Sequence, residues 1–289
     1  MYGTVWIVAT PLGNLGDFSP RARQTLEGAD IVLAEDTRRA GHLLQLAGIP
    51  GKRLISLHEH NETQRIDEVL ALLSQGMQVA VVSDAGTPLI ADPGYRLVAA
   101  CRKQGISVVP VPGPCAPITA LMASGLPPYP FVFLGFLPRK SGDTRALLRP
   151  YADLSATLVF FERKNRVLPT LELVHEVLGG REFCIARELT KKHEQFINGR
   201  LGQMPDFDGE LLGEVTVVIG PPVEIQATSG PEVLALVQAL IREGVRPKDA
   251  ARTVRDQVSG WSVKQIYEMI VEQDSDLYSK HGSTLWDCY

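Results

Sequence analysis

The sequence predicts an α/β protein with two sheet-containing domains and a small helical module. Three observations carry that prediction. Short apolar runs alternate with helical patterns through residues 1–125. The segment Gly125–Tyr129 (GLPPY) then breaks the rhythm before a second, differently built set of runs. Beyond the Gly/Pro/Ser/Thr-rich stretch 220–232, three helical patterns follow without a strand. Domains are expected at 1–125 and 126–222, the module at 231–272, and a tail without periodicity, expected to be disordered, at 273–289.

The first domain reads TVWIVAT, a helix near 20–29, DIVLAED, a helix near 38–47, RLISLH and a helix from Glu62. In that last helix Ile66, Val69, Leu70 and Leu73 share one face, and Asn61 with Gln64 resembles a capping box. QVAVVSD, a helix near 94–104, SVVPVPG and a helix near 114–124 complete the pattern of a largely parallel sheet covered on both faces. The second domain reads FVFLGFL, a polar stretch 138–145, ATLVFFE, a helix near 166–178, FCIAREL and GEVTVVIG. The module's helices are expected near 231–243, 247–258 and 262–272, with Pro247 at a first turn and Gly260 at a stop.

A chain of 289 residues with 45% hydrophobic and 21% charged residues has material for sizeable cores. No apolar run approaches the roughly 18–20 residues that span a bilayer, and MYGTVWIVAT lacks a leading basic segment, so a cytoplasmic protein is expected. The four cysteines stand singly, which predicts reduced thiols and no zinc site. A net charge of −4 argues against indiscriminate coating of nucleic acid. Local basic clusters nevertheless occur at Arg38/Arg39, Arg139/Lys140, Arg163/Lys164/Arg166 and Arg187/Lys191/Lys192.

Ligands of open parallel sheets sit outside the carboxyl ends of strands. Three Gly/Pro loops leave such ends, at residues 10–17, 83–94 and 112–117, and three loops on one edge imply one pocket. None carries G-x-G-x-x-G with a following acidic residue or a Walker lysine, so neither a dinucleotide fold nor a P-loop is indicated. They offer main-chain N–H and C=O groups beside Leu12, Leu89 and Ile90, suited to a small ligand with polar ends and an apolar body.

VATPLGNLGD, AEDTRR, SLHEHNE, VSDAGTPLIADPGYRLV, PVPGPCAPITALMASGLP, GFLPRK, ARELTKKHE and GEVTVVIG together resemble the ribosomal RNA small subunit methyltransferase I family, a branch of the tetrapyrrole-methylase-like, class III S-adenosylmethionine enzymes. DAARTVRDQVSGWSVKQIYEMI is similar to that family's appended helix-turn-helix segment. The resemblance implies a homodimer of two-domain subunits holding S-adenosylmethionine between domains. It also implies methylation of the 2′-hydroxyl of a cytidine in the decoding region of the small-subunit (16S) RNA.

Carried onto this sequence, the cofactor residues are Pro11, Leu12 and Gly13; Gly86, Thr87, Pro88, Leu89 and Ile90; Pro112, Gly113, Cys115 and Ala116; and Phe161, Ala186 and Arg187. Two departures stand out. The first loop lacks the G-x-G-P-G-D pattern of the tetrapyrrole enzymes, which weighs against a porphyrin-precursor substrate. FFERKNR stands where Y-E-S-x-H-R is expected, so Glu162 and Arg166 remain while the Ser and His do not. The rival readings are a small-molecule methyltransferase of the tetrapyrrole branch and a non-catalytic ribosome-binding protein with a methylase fold.

Methyl transfer from a sulfonium is an in-line displacement, so alignment supplies most of the rate and a base a smaller part. Base candidates are Asp36 beside Glu35; His58, Glu59 and His60; and Glu188 with Lys191. Asp36 also has a plain structural reading, pairing with Arg38 at a helix start, and His58 one as a packed strand-end residue. RNA contacts are expected from Arg38, Arg163, Lys164, Arg166 and Lys191, with Arg187 and Lys191 sharing a face. In the module Arg246, Lys248, Arg252 and Arg255 either contact phosphate or face water on a cap. No metal is expected, Asp84 and Asp92 serving the loop's shape, since a sulfonium donor needs no divalent ion.

Overall fold

The computed structural model describes residues 2–203, 213–222, 228–258 and 260–271. The linker residues 223–227 and the expected tail at 273–289 lie outside them. Met1–Pro222 forms one compact unit and Val223–Tyr289 another.

The first unit opens with β1 (Val5–Val8), α1 (Pro20–Gly28), β2 (Ile31–Ala34), α2 (Thr37–Leu46), β3 (Arg53–Ser56), α3 (Glu62–Ser74), β4 (Val79–Val82), α4 (Tyr95–Lys103), β5 (Val108–Val111) and α5 (Ala116–Ala123). The strands are parallel in the order β3-β2-β4-β1-β5. β2 and β4 are buried along their whole length, which explains their unbroken apolar runs. Val69, Leu73, Leu97 and Cys101 fill one side of the sheet, and Leu26, Ala40, Leu44 and Ile49 the other. Each fully buried aliphatic side chain contributes about 1.5–3 kcal/mol.

Asn61 differs from expectation. It precedes α3 but makes no side-chain cap bond; its carboxamide accepts from His58 N–H and donates to Ser56 O. An Asn adjoining a strand end bonds the nearer turn rather than the helix it precedes.

A second sheet follows with β6 (Phe131–Phe136), α6 (Ser141–Leu148), β7 (Thr157–Arg163), α7 (Val167–Leu178), β8 (Glu182–Arg187), β9 (Gln195–Arg200) and β10 (Glu214–Ile219). Its order is β6-β7-β10-β8-β9, with only β6–β7 parallel. The polar stretch 138–145 runs into α6, and β9 is a strand beyond those expected from the sequence. QFINGR is half exposed at the sheet edge and therefore carries no long apolar run.

Side chains alternate along this sheet. Leu158, Phe160, Phe183, Ile185, Val215 and Val217 enter one core with α7 residues Leu171 and Val174. Val159, Cys184, Ala186 and Val218 on the other face pack against Ala120 and Leu121 of α5. α5 thus belongs to the first half of the chain by sequence but buries its apolar side on the second sheet. The face it covers is the one from which Phe161 and Arg163 project further along β7.

In the second unit α8 (Gly230–Arg242), α9 (Pro247–Arg255) and a helix at 263–271, α10, enclose Val233, Val237, Ala251, Val254, Ile266 and Ile270. A capping box does occur here, between Ser229 and Glu232. α9 ends at Arg255, short of the expected 258, and Gly260 adopts φ +79° before α10. No helix among the described residues is long and apolar enough to cross a membrane.

Candidate active site

The loops after β4, β1 and β5, three adjacent strands, are laced together at the sheet's carboxyl edge. Thr10 and Gly86 exchange main-chain bonds of 2.8 and 3.0 Å. The Thr87 hydroxyl donates to Pro114 O at 2.9 Å, and the Ser83 hydroxyl to the carbonyls of Ala85 and Gly86. Gly86 lies at φ +80°, and a Cβ there would stand 3.0 Å from Leu12 Cδ2. At Gly113 a Cβ would meet Ala9 Cβ at 2.9 Å, so at both positions glycine lets neighbouring loops of this edge pack closely.

The far end of the 83–94 loop is held by Glu62, the buried first residue of α3. Its Oε1 accepts from the N–H groups of Gly94 (3.1 Å), Arg96 (2.8 Å) and Leu97 (3.4 Å), capping α4 from outside that helix. A Cβ on Gly94, whose φ is +121°, would lie 3.2 Å from Leu89 Cδ1, so Leu89 packs inward beneath it.

The described non-glycine residues with left-handed backbone are Leu89 (φ 70°), Ala91 (φ 69°), Glu188 (φ 51°) and Thr190 (φ 64°). All four lie in two loops at the same cleft, 83–94 and the turn after β8, and each costs about 1–3 kcal/mol. Strain gathered in this way marks a shape held for a purpose.

The cleft between these loops and the second sheet has a volume of about 720 Å³. Leu12, Gly86, Thr87, Ile90, Cys115 and Ala116 line one wall; Phe136, Phe161, Arg163, Glu188, Leu189, Lys191 and Thr216 line the other. Phe136 and Phe161 stand with ring centroids 5.2 Å apart, an aromatic surface suited to a cation.

Seven of the fifteen residues carried over as cofactor contacts line this cleft: the six of the first wall and Phe161. Pro11 and Gly13 line an adjoining hollow. The other six stand back: Pro88 and Ala186 are buried, Leu89 packs on the first core, Pro112 and Gly113 lie at the edge, and Arg187 Nε donates to Gln195 Oε1 at 2.7 Å.

Glu188 and Lys191 form an ion pair of 3.0 Å at the cleft. Arg187 ends a strand while Lys191 sits in the turn beyond, so the two are not one helical turn apart and share no helix face. Asp36 caps α2 and takes two bonds from the Arg38 side chain, 3.0 and 2.7 Å, besides one from its N–H. The Arg38 guanidinium, helped by its backbone N–H, holds this carboxyl well below the usual carboxylate range. His58 and the exposed Glu59 follow β3, the outer strand, and line neither hollow. Arg166 bonds Pro138 O and the buried Glu162, Lys164 is exposed beside the cleft-lining Arg163, and burial pushes the Cys184 thiol up to about 11.

Residues 4–205 match the profile of the Tetrapyrrole (Corrin/Porphyrin) Methylases. A ribosomal RNA small subunit methyltransferase I of Escherichia coli O157:H7 is 41% identical over 279 residues, 94% of this chain and 96% of that protein. The chain belongs to the ribosomal RNA small subunit methyltransferase I family. Methyltransferases I of Mycobacterium tuberculosis and of Synechocystis are 42% and 40% identical, over 93% and 95% of the chain and 95% and 99% of those proteins.

Among solved structures, the methyltransferase CobJ superposes with a TM-score of 0.59 at 20% identity, covering 78% of this chain and 96% of that one. A Thermus thermophilus uroporphyrin-III C-methyltransferase complexed with S-adenosyl homocysteine gives 0.55 at 18%, covering 75% and 97%. They share the class III fold with this chain. Glu62, Phe136, Leu189 and Thr216 are not among the expected site residues; Glu62 ends the motif SLHEHNE, but nothing local tells that α3's first residue caps α4.

Proposed function

We propose that the chain transfers a methyl group from S-adenosylmethionine to the 2′-hydroxyl of a cytidine in the decoding region of small-subunit ribosomal RNA. Family membership supports the coarser statement, an enzyme that methylates small-subunit ribosomal RNA with this donor. The nucleotide and the oxygen rest on the resemblance. The observation that carries the reading is the cleft itself: bare glycine main chain at Gly86 on one side, paired phenylalanines on the other, and strained loops holding both.

When bound, the donor supplies an electrophilic methyl group on sulfur. Leu12, Gly86, Thr87, Ile90, Cys115 and Ala116 would hold it, while Phe136 and Phe161 would cover the cation and exclude water. A water-poor, aligned site is worth more here than a strong base. Of the seven base candidates Glu35, Glu188 and Lys191 line the cleft, and this reading gives the hydroxyl proton to the ion-paired Glu188 and Lys191 on the wall of the second sheet.

Three further parts belong to this reading. Ile118 and Met122, spaced one turn apart on α5 and 46% and 75% exposed, offer apolar surface for a second copy in a homodimer. Arg246, Lys248, Arg252 and Arg255 contact RNA phosphate from a helix whose Ala250, Ala251 and Val254 are buried. The enzyme works in the cytoplasm. Among the described residues no group of three or more His, Cys, Asp or Glu is arranged to hold a metal.

The test is mass spectrometry of ribosomal RNA after incubating undermethylated small subunits with the protein and labelled donor. One labelled 2′-O-methylcytidine is expected. Label on a base carbon, or none, overturns the reading.

A further inference from the structure

A second hollow opens beside the cleft, between the loop at 10–17 and α2. Its volume is about 610 Å³, inside the roughly 300–1,000 Å³ range of small-ligand sites. Arg39 and Asp84 line both hollows, so the two form one continuous surface.

The floor is apolar and open: Leu15 and Leu46 are 44% and 55% exposed. The rim is charged but balanced. Arg38 holds Asp36, Arg39 bonds Asp84 at 3.0 Å, and Asp84 also accepts from Asp36 N–H. Two guanidiniums against two carboxylates leave no net charge to attract a phosphate. What remains is the exposed apolar surface of Leu15 and Leu46, the exposed imidazole of His42 one helical turn from Leu46, and donors beside acceptors. A nucleobase presents the same combination, with a π-face for stacking and an edge of mixed donors and acceptors.

We infer that this hollow receives an unpaired nucleobase of the ribosomal RNA strand next to the methylated nucleotide. The base stacks on His42 and Leu46 and turns its edge to the Arg38–Asp36 pair. Because the hollow adjoins the cleft, a neighbouring base seated there sets which ribose reaches the methyl group. The inference rests on ribosomal RNA being the substrate.

The test is the double variant His42→Asp/Leu46→Asp, both side chains exposed on α2, assayed on undermethylated small subunits. The expected result is a rise in KM for the subunit on the order of tenfold, the cost of one lost stack. Turnover at saturation, donor affinity by calorimetry and sedimentation behaviour stay at wild-type values. His42→Ala/Leu46→Ala should shift KM in the same direction, and His42→Trp should restore or lower it.

An unchanged KM overturns the inference. So does a matching loss of donor affinity, which assigns the hollow to the donor site, or a KM rise accompanied by dissociation into monomers, which assigns it to a second copy. Wild-type turnover on the same subunits controls for the substrate itself: its absence strikes the rRNA reading, whereas an unchanged KM strikes only this hollow.

Discussion

The aliphatic chain of Lys191 lies across Gly13, so that a Cβ on the glycine would stand 2.6 Å from Lys191 Cγ and 2.7 Å from Cε. A loop from the first sheet and a turn from the second therefore meet at the cleft mouth. Lys191 is a flexible side chain, and Gly13→Ala should displace it while costing little stability. We expect the thermal midpoint to hold within a few degrees and kcat/KM for small subunits to fall about tenfold, or about 1.4 kcal/mol. In a double-mutant cycle with Lys191→Ala the two losses should fall short of additive; full additivity rejects the contact.

Gly86→Ala tests the cradle. At φ +80°, with Leu12 Cδ2 at 3.0 Å, an added Cβ meets both backbone strain and a clash. The expected cost is about 1–3 kcal/mol of stability, with a large loss of donor affinity in calorimetry, greater still for Gly86→Val. Wild-type affinity in a folded Gly86→Val protein removes the donor from this loop.

Glu62 predicts a different pattern, because it touches α4 rather than the cleft. Glu62→Ala leaves the N–H groups of Gly94, Arg96 and Leu97 without their acceptor, costing about 1–3 kcal/mol in denaturant unfolding. The donor's Kd should rise, since the loop's end is released. Glu62→Gln, which keeps one acceptor oxygen, should recover part of both losses; if it does not, the charge rather than the bond matters.

The cysteines separate by chemistry. Cys115 lines the cleft and should react with iodoacetamide in the native protein, with S-adenosyl homocysteine protecting it. Cys184 is fully buried, and burial raises its thiol to about 11 against 9.0 for a free thiol, so it should stay unmodified until unfolding. Its folded pKa lies above the unfolded one. The stability it contributes is complete below pH 9 and is lost as pH rises from 9 towards 11. Cys184→Ala should flatten that part of a stability-versus-pH curve.

Lys248→Glu with Arg252→Glu on α9 should weaken binding to small subunits and reduce its salt dependence, leaving donor affinity untouched. The existing Arg252–Asp249 contact, 3.9 Å between exposed groups, is too weak to hold the arginine from a phosphate. Titration at several ionic strengths decides it; an unchanged slope makes the module a cap.

Part of the lining of the candidate cleft is legible in the sequence. Gly86, Thr87 and Ile90 stand in a Gly/Pro loop directly after an apolar run, and such a loop announces a close main-chain approach by composition alone. Asp36 was readable too, because an acid two residues before an arginine at a helix start is a local pattern. His58 and Glu59 are candidate bases by residue type, yet they follow the outer strand, and strand order is not written in spacing.

The sequence by itself determined the two α/β halves, the helical module and the three loops that end on one edge, since strand and helix periods and Gly/Pro turns are properties of adjacent residues. Only the tertiary structure decided that α5 packs on the second sheet, that Glu62 caps α4, and that Lys191 rests on Gly13. Those contacts join residues far apart in the chain. They arise from burial and from unpaired N–H groups seeking acceptors, which act through space and leave no periodic trace along a sequence.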